Sequence, residues 1–198
     1  MVLQKAKRMK KKIEKETKQI YYISDLHLGD KRVFKLCNRN YSIDDFNKKI
    51  IKNWNTVVKE NDDVYLLGDI LFEQYYEGIN ILKKLNGNKH LIVGNHDLPM
   101  LEEFISANIF KSINYQILIK DNDETVFLCH YPIMNLPEDM SGSYHIYGHI
   151  HNKEIREIKE YYKNKKAYNA SCDVIDFTPQ TLNGLIKLKE ENNEAYIN

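Results

Sequence analysis

The sequence predicts a mixed α/β domain. Short apolar runs alternate with helical periods through the first half of the chain, and a hairpin pattern opens the second. Polar residues able to do chemistry follow several of the runs directly. At 198 residues and 42% hydrophobic composition, the chain fits one domain with a substantial core. No stretch free of Lys, Arg, Asp and Glu exceeds thirteen residues. A transmembrane helix needs about 20 apolar residues, so none is expected.

Ile20–Ile23 is the first apolar run and reads as a strand. From Ile43 to Val58, the residues Ile43, Phe46, Ile50, Trp54 and Val57/Val58 share one helical face, with Ser42 placed as N-cap. Val64–Leu67 reads as a second strand, and Tyr75/Tyr76, Ile79, Leu82 and Leu85 as a second helix. Leu91–Val93 is a third strand, followed by a short helix opening near Pro99. Ile113–Ile119, the turn Asp121–Glu124 and Thr125–Leu128 make a hairpin. Tyr144–Tyr147 and Ala167–Ala170 are further strands, and Thr178-Pro179 marks the start of a terminal helix.

The net charge is +1, unevenly spread. Residues 1–19 carry eight basic side chains against two acidic ones, a net of +6, and the remainder is −5. We therefore divide the chain into a basic arm, 1–19, and a single domain, 20–198. The arm reads as a solvated helix and lacks the apolar run of a signal peptide. An acidic body is not the footprint of a dedicated nucleic-acid binder, so a nucleic-acid partner rests on the arm alone. The three cysteines, Cys37, Cys129 and Cys172, form no CxxC pair, which argues against a disulfide framework or a zinc finger and fits a reducing cytoplasm.

Five runs end in polar words: Asp25-Leu26-His27, Gly68-Asp69, Gly94-Asn95-His96-Asp97, Cys129-His130-Tyr131-Pro132 and Gly148-His149-Ile150-His151. In open α/β sheets ligands bind at the carboxyl ends of strands, so these groups are expected to converge. Asp, His and Asn form a mixed oxygen and nitrogen set that suits Mn²⁺, Fe, Zn²⁺, Co²⁺ or Ni²⁺ better than calcium. Asp25, His27, Asp69, Asn95, His130, His149 and His151 are too many for one tetrahedral ion. They suffice for two ions sharing a carboxylate, an arrangement used in phosphoryl hydrolysis.

In this order, over about residues 20–178, the words resemble the calcineurin-like metallophosphoesterases, and the small bacterial and phage phosphoesterases among them best. Gly68-Asp69-Ile70 departs from the protein Ser/Thr phosphatases, and Asp25-x-His27 from the purple acid phosphatases. The resemblance implies a four-layer αββα sandwich with the site at one edge. It implies that Asp25, His27 and His151 hold one divalent ion, that Asn95, His130 and His149 hold another, and that Asp69 bridges them. Mn²⁺ is the favoured ion. The activity implied is hydrolysis of a phosphomonoester or phosphodiester, small or nucleotide-like, by in-line attack of a hydroxide held between the ions.

Two catalytic candidates follow. His96 looks like the family's histidine that meets the substrate, and Asp97 either orients it or caps the next helix. Asn95 is also placed on the substrate phosphate. Arg39, in a Cys37-Asn38-Arg39 word shared with some relatives, is expected to bind that phosphate, since a guanidinium takes two oxygens at once. His90 and His145 read as surface or satisfied core groups, and Cys129 as a small core residue. The alternatives are a nuclease or phosphatase using the basic arm, and a scaffold of the same fold. The scaffold is disfavoured because no ligand position is lost.

Overall fold

The computed structural model describes residues 18–72, 75–140 and 142–194. The basic arm therefore lies outside the described residues, except for Lys18 and Gln19. Lys18 pairs with Asp63 at 2.6 Å.

Strands β1 (Ile20–Ile23), β2 (Asp63–Leu66), β3 (Asn88–Ile92) and β4 (Phe110–Asn114) form a parallel sheet in that order. Ile23 lies opposite Leu66, and Leu66 opposite Leu91. Parallel neighbours need crossovers. These are α1 (Lys31–Leu36) with α2 (Ile43–Val57), then α3 (Glu77–Lys83), then α4 (Leu101–Ser106) after a 3-10 turn at Leu98–Met100. The second sheet runs β5 (Gln116–Asp121), β6 (Glu124–Cys129), β7 (Tyr144–Tyr147) and β8 (Ala167–Asn169). Its first pair is an antiparallel hairpin and the rest is parallel. Helices α5 (Arg156–Tyr162) and α6 (Leu182–Glu194) complete it.

The sheets share one core: Ile23, Leu66 and Leu91 of the first meet Val126, Leu128 and Ile146 of the second. A buried hydrogen bond from Tyr22 Oη to Asp121 Oδ2, 2.9 Å, ties β1 to β5. Along β7 the side chains alternate. Ile146 enters the shared core, while Tyr147 stacks on Tyr162 of α5 at 5.3 Å in a separate cluster. On the far side α2 buries Phe46, Ile50 and Trp54, spaced by four, against the first sheet. Ser42 caps it, accepting the Asp45 N–H at 3.1 Å. The layering is helix, sheet, sheet, helix, as expected. Among the described residues no helix is long and apolar enough to cross a membrane.

The structure revises two elements. The expected strand Ile113–Ile119 is two strands that break at exposed Tyr115, with β4 closing the first sheet and β5 opening the second. Both halves face the same core, so the alternation runs on without marking the change of sheet. The terminal helix starts at Leu182 rather than at Thr178-Pro179. Gln180 first exchanges both backbone hydrogen bonds with Tyr22 (2.8 and 3.1 Å), and Thr181 Oγ1 then accepts from Gly184.

Candidate metal centre

Because β1, β2 and β3 are parallel neighbours, the segments after them leave the first sheet at one end. Those after β6 and β7 do the same in the second. The backbone joins these segments directly: Asp25 N–H donates to Gly68 O at 2.9 Å, and Gly148 N–H to His130 O at 2.9 Å. The sequence expectation of convergence holds.

The turns themselves are unusual. Asp25, His27, Asp69, His149 and His151 all have left-handed backbone, with φ of 57, 46, 56, 71 and 52°. Such conformations are uncommon for residues other than glycine and cluster at functional sites. Space is tight as well. Gly68 is left-handed at φ 83°, and a Cβ there would lie 2.6 Å from both Gly94 Cα and His130 Nδ1. A Cβ on Gly148 would strike the Ser24 and Asp25 side chains.

Three groups of potential ligand atoms result, each within 4.8 Å of one another: Asp25, His27, His151, then Asp69, His130, His149, and behind the first, sharing its His151, Cys37, His151, Asp173. The first is buried. Asp25 accepts from Ser24 Oγ at 2.6 Å and from the His149 N–H at 3.0 Å. The His27 and His151 rings stack with centroids 5.0 Å apart. His27 Nε2 is buried without a hydrogen-bond partner. Burial pushes the His27 imidazole down to about 3, so it is a neutral base. An orphaned, buried, neutral imidazole nitrogen is costly by itself and is what a bound cation engages.

In the second group, His130 Nδ1 faces the Leu67 carbonyl at 2.7 Å. It carries a ring proton there, and Nε2 is the nitrogen turned to the site. Nε2 meets Asn95 Oδ1 at 3.2 Å, His149 Nδ1 at 3.2 Å and Asp69 Oδ2 at 3.4 Å, and, against the effect of burial, the Asp69 carboxylate raises the His130 pKa. Two oxygens and two ring nitrogens face one place, which a cation, or a proton on the rings, would hold together. Asp69 Oδ2 also lies 3.6 Å from His27 Nε2, between the groups. Although burial alone would raise it, His130 and the His96 N–H bring the Asp69 carboxyl down to about 2. The donor set and the orphaned nitrogen therefore fit metal ions.

The remaining expected residues divide. His96 is exposed, its N–H donates to Asp69 Oδ1 at 2.8 Å, and its ring lies 5.2 Å from that of His27. Asn95 is exposed beside it. Asp97 departs from both expectations: it neither caps the next turn with its side chain nor orients His96. Fully buried, it accepts the N–H groups of Asp69 (2.9 Å), Ile70 (2.9 Å) and Gly94 (2.8 Å). Burial pushes its carboxyl up to about 6.

Arg39 also departs from expectation. Its side chain is fully buried and forks onto Asp173 at 2.7 and 2.8 Å, so its guanidinium is not presented to a substrate. His145 is a satisfied core group accepting from Ile133 N–H at 3.0 Å, and His90 bonds Ser112 at 2.9 Å. Cys129 is buried, and burial raises its thiol pKa.

Sequence reasoning missed Asp173, whose Oδ2 lies 2.8 Å from His151 Nδ1. Burial, which by itself lowers the His151 pKa, is overcome by Asp173, Cys37 and Asp25, which push it up to about 10. The signal was present: Ala170-Ser171-Cys172-Asp173 is a sixth polar word after a strand.

A calcineurin-like phosphoesterase superfamily domain matches residues 19–166, and the chain belongs to that family. Its members' chemistry is phosphoester hydrolysis, typically metal-dependent, and the two ligand groups agree with it. An uncharacterized protein of Methanocaldococcus jannaschii is 33% identical over 177 residues, covering 88% of this chain and 93% of that one. The gene 66 protein of Mycobacterium phage L5 is 35% identical over 82 residues, 40% of each chain. Among solved structures, a protein of unknown function from Aquifex aeolicus superposes with a TM-score of 0.69. It is 27% identical, and the match covers 87% of this chain and 100% of that one.

Proposed function

We propose that the chain hydrolyses a phosphoric ester, small or nucleotide-like, at a centre of two divalent ions. The observation that carries this reading is the Asp69 carboxylate. Its Oδ2 lies 3.6 Å from His27 Nε2 in one ligand group and 3.4 Å from His130 Nε2 in the other. One oxygen within reach of both groups is the arrangement a shared ligand needs. Asp25, His27 and His151 would hold one ion, and Asn95, His130 and His149 the other. Mn²⁺ is the proposed ion, given the mixed oxygen and nitrogen donors. Two such ions, when bound, neutralise phosphate charge and lower the pKa of water.

The chain's own residues do the rest. The strained turns hold their side chains in place before substrate arrives, so little reorganisation is needed on binding. Asn95 turns its Oδ1 towards His130, which leaves its amide NH₂ for a phosphate oxygen. His96 is exposed next to Asp69, positioned to give a proton or hydrogen bond to the leaving oxygen.

The test is elemental analysis together with a screen of phosphomonoesters, phosphodiesters, cyclic nucleotides and dinucleoside polyphosphates. The expected result is about two Mn²⁺ per chain, with hydrolysis abolished by chelator and restored by Mn²⁺. An active metal-free protein, or a single ion in the active one, would overturn the reading.

A further inference from the structure

We propose that Arg39 and Asp173 are positioning residues that make the Asp25–His27–His151 group the tighter of the two metal sites. The inference rests on the two-ion reading above and concerns how the protein grades its two sites.

Arg39 follows α1 at a turn reversed by left-handed Asn38, φ 55°. Its side chain is fully buried, with the guanidinium 5.0 Å from the Phe46 ring centroid and 5.6 Å from that of Phe34. A buried guanidinium is tolerated only where its donors are met. Nε and Nη2 fork onto the two Asp173 oxygens, Nη2 also donates to Asp25 O at 2.7 Å, and Nη1 donates to Leu26 O at 2.7 Å. The last two contacts grip the strained segment that carries Asp25 and His27.

Asp173 carries the clamp on to the third ligand. Its Oδ2 lies 2.8 Å from His151 Nδ1, so that nitrogen keeps its proton, and Nε2, 3.9 Å from Asp25 Oδ1, is the nitrogen that would give up its proton to an ion. A carboxylate behind a ligating histidine fixes its tautomer and raises its basicity. One guanidinium thus braces Asp25 and His27 through the backbone and His151 through Asp173.

In the other group Asp97 braces the shared Asp69, but among the described residues no carboxylate stands behind its histidines. The brace behind His130 is the neutral Leu67 carbonyl, and His149 and Asn95 are exposed. Loss of such outer partners typically costs about 10–100-fold in metal affinity.

The experiment is Mn²⁺ titration of metal-free full-length protein by calorimetry and equilibrium dialysis, with circular dichroism to confirm folding. Wild type should bind two ions with distinct affinities. Arg39→Lys and Asp173→Asn should weaken the tighter site about 10–100-fold and leave the weaker one unchanged. His149→Ala, as the control, should weaken only the second site. Folded variants with both affinities unchanged would overturn the inference while leaving the two-ion reading intact. Wild type that binds no Mn²⁺ would overturn both. Should the variants not fold, ¹H–¹⁵N correlation of the Zn²⁺-loaded wild type decides. A proton on His151 Nδ1 supports the inference, and one on Nε2 overturns it.

Discussion

The buried carboxylate of Asp97 accepts the backbone N–H of Asp69 at 2.9 Å, so one acid fixes the turn that presents the other. Its hydrogen bonds from Ile70 at 2.9 Å and Gly94 at 2.8 Å tie the ends of β2 and β3 into one unit. Replacing Asp97 by Ala leaves three buried donors unmet, each costing about 1–3 kcal/mol. Asp97→Ala should destabilise the metal-free protein by about 3 kcal/mol or more, read from its urea midpoint, and weaken Mn²⁺ binding at both sites. Asp97→Asn keeps one acceptor oxygen and should fall in between. Wild-type stability with activity alone lost would return Asp97 to a direct catalytic role.

Asp69 Oδ2 faces an imidazole of each group, His27 at 3.6 Å and His130 at 3.4 Å. Asp69→Asn keeps its shape and removes its charge. The variant should lose ion occupancy at both sites, by elemental analysis after dialysis against limiting Mn²⁺, and lose hydrolysis with it. Occupancy lost at one site only would mean that the ions are held separately.

The strand ends were legible because each ligand word is local: a short apolar run followed at once by Gly, Asp, His or Asn. Position along the chain carries both the strand and the end at which the chemistry sits. Arg39 was not legible in the same way. Whether a loop arginine faces solvent or the core depends on what it meets, and it meets Asp173, 134 residues away. Asp97 was misjudged for a similar reason. An acid ahead of a proline-containing turn looks like a cap, and only the packing of β2 beside β3 shows that two of its three partners are N–H groups of the neighbouring strand end. The break at Tyr115 was invisible because a change of sheet leaves period-2 alternation intact when both sheets face one core.

His96 has no ligand partner and stands exposed beside the site, so its loss should spare the metals. Help to a leaving group is worth about 10²–10⁴-fold and matters most when that group is a poor one. His96→Asn should keep both ions and lose more activity on an alkyl phosphate ester than on a nitrophenyl ester. Equal losses on the two esters would place the residue in substrate binding instead.

His145 gives the fold a dependence on pH that is separate from the metal centre. Its ring is buried between Phe127 and the Tyr147 and Tyr162 phenols, and its Nε2 accepts the Ile133 N–H at 3.0 Å. Burial, opposed by the carbonyls of Phe127 and Tyr131, pushes its pKa down to about 4 from the ordinary histidine value near 6.5. The unfolded chain therefore takes up this proton first as pH falls. The stability the neutral ring contributes is complete above pH 6.5 and is lost as pH drops towards 4. A shift of this size corresponds to about 3 kcal/mol. His145→Gln keeps an acceptor for Ile133 and does not titrate in this range. Urea unfolding of the metal-free proteins between pH 7.5 and 4.5 should show wild type losing about 2–3 kcal/mol more than His145→Gln. Parallel losses in the two proteins would mean that the buried ring keeps its proton in the folded state.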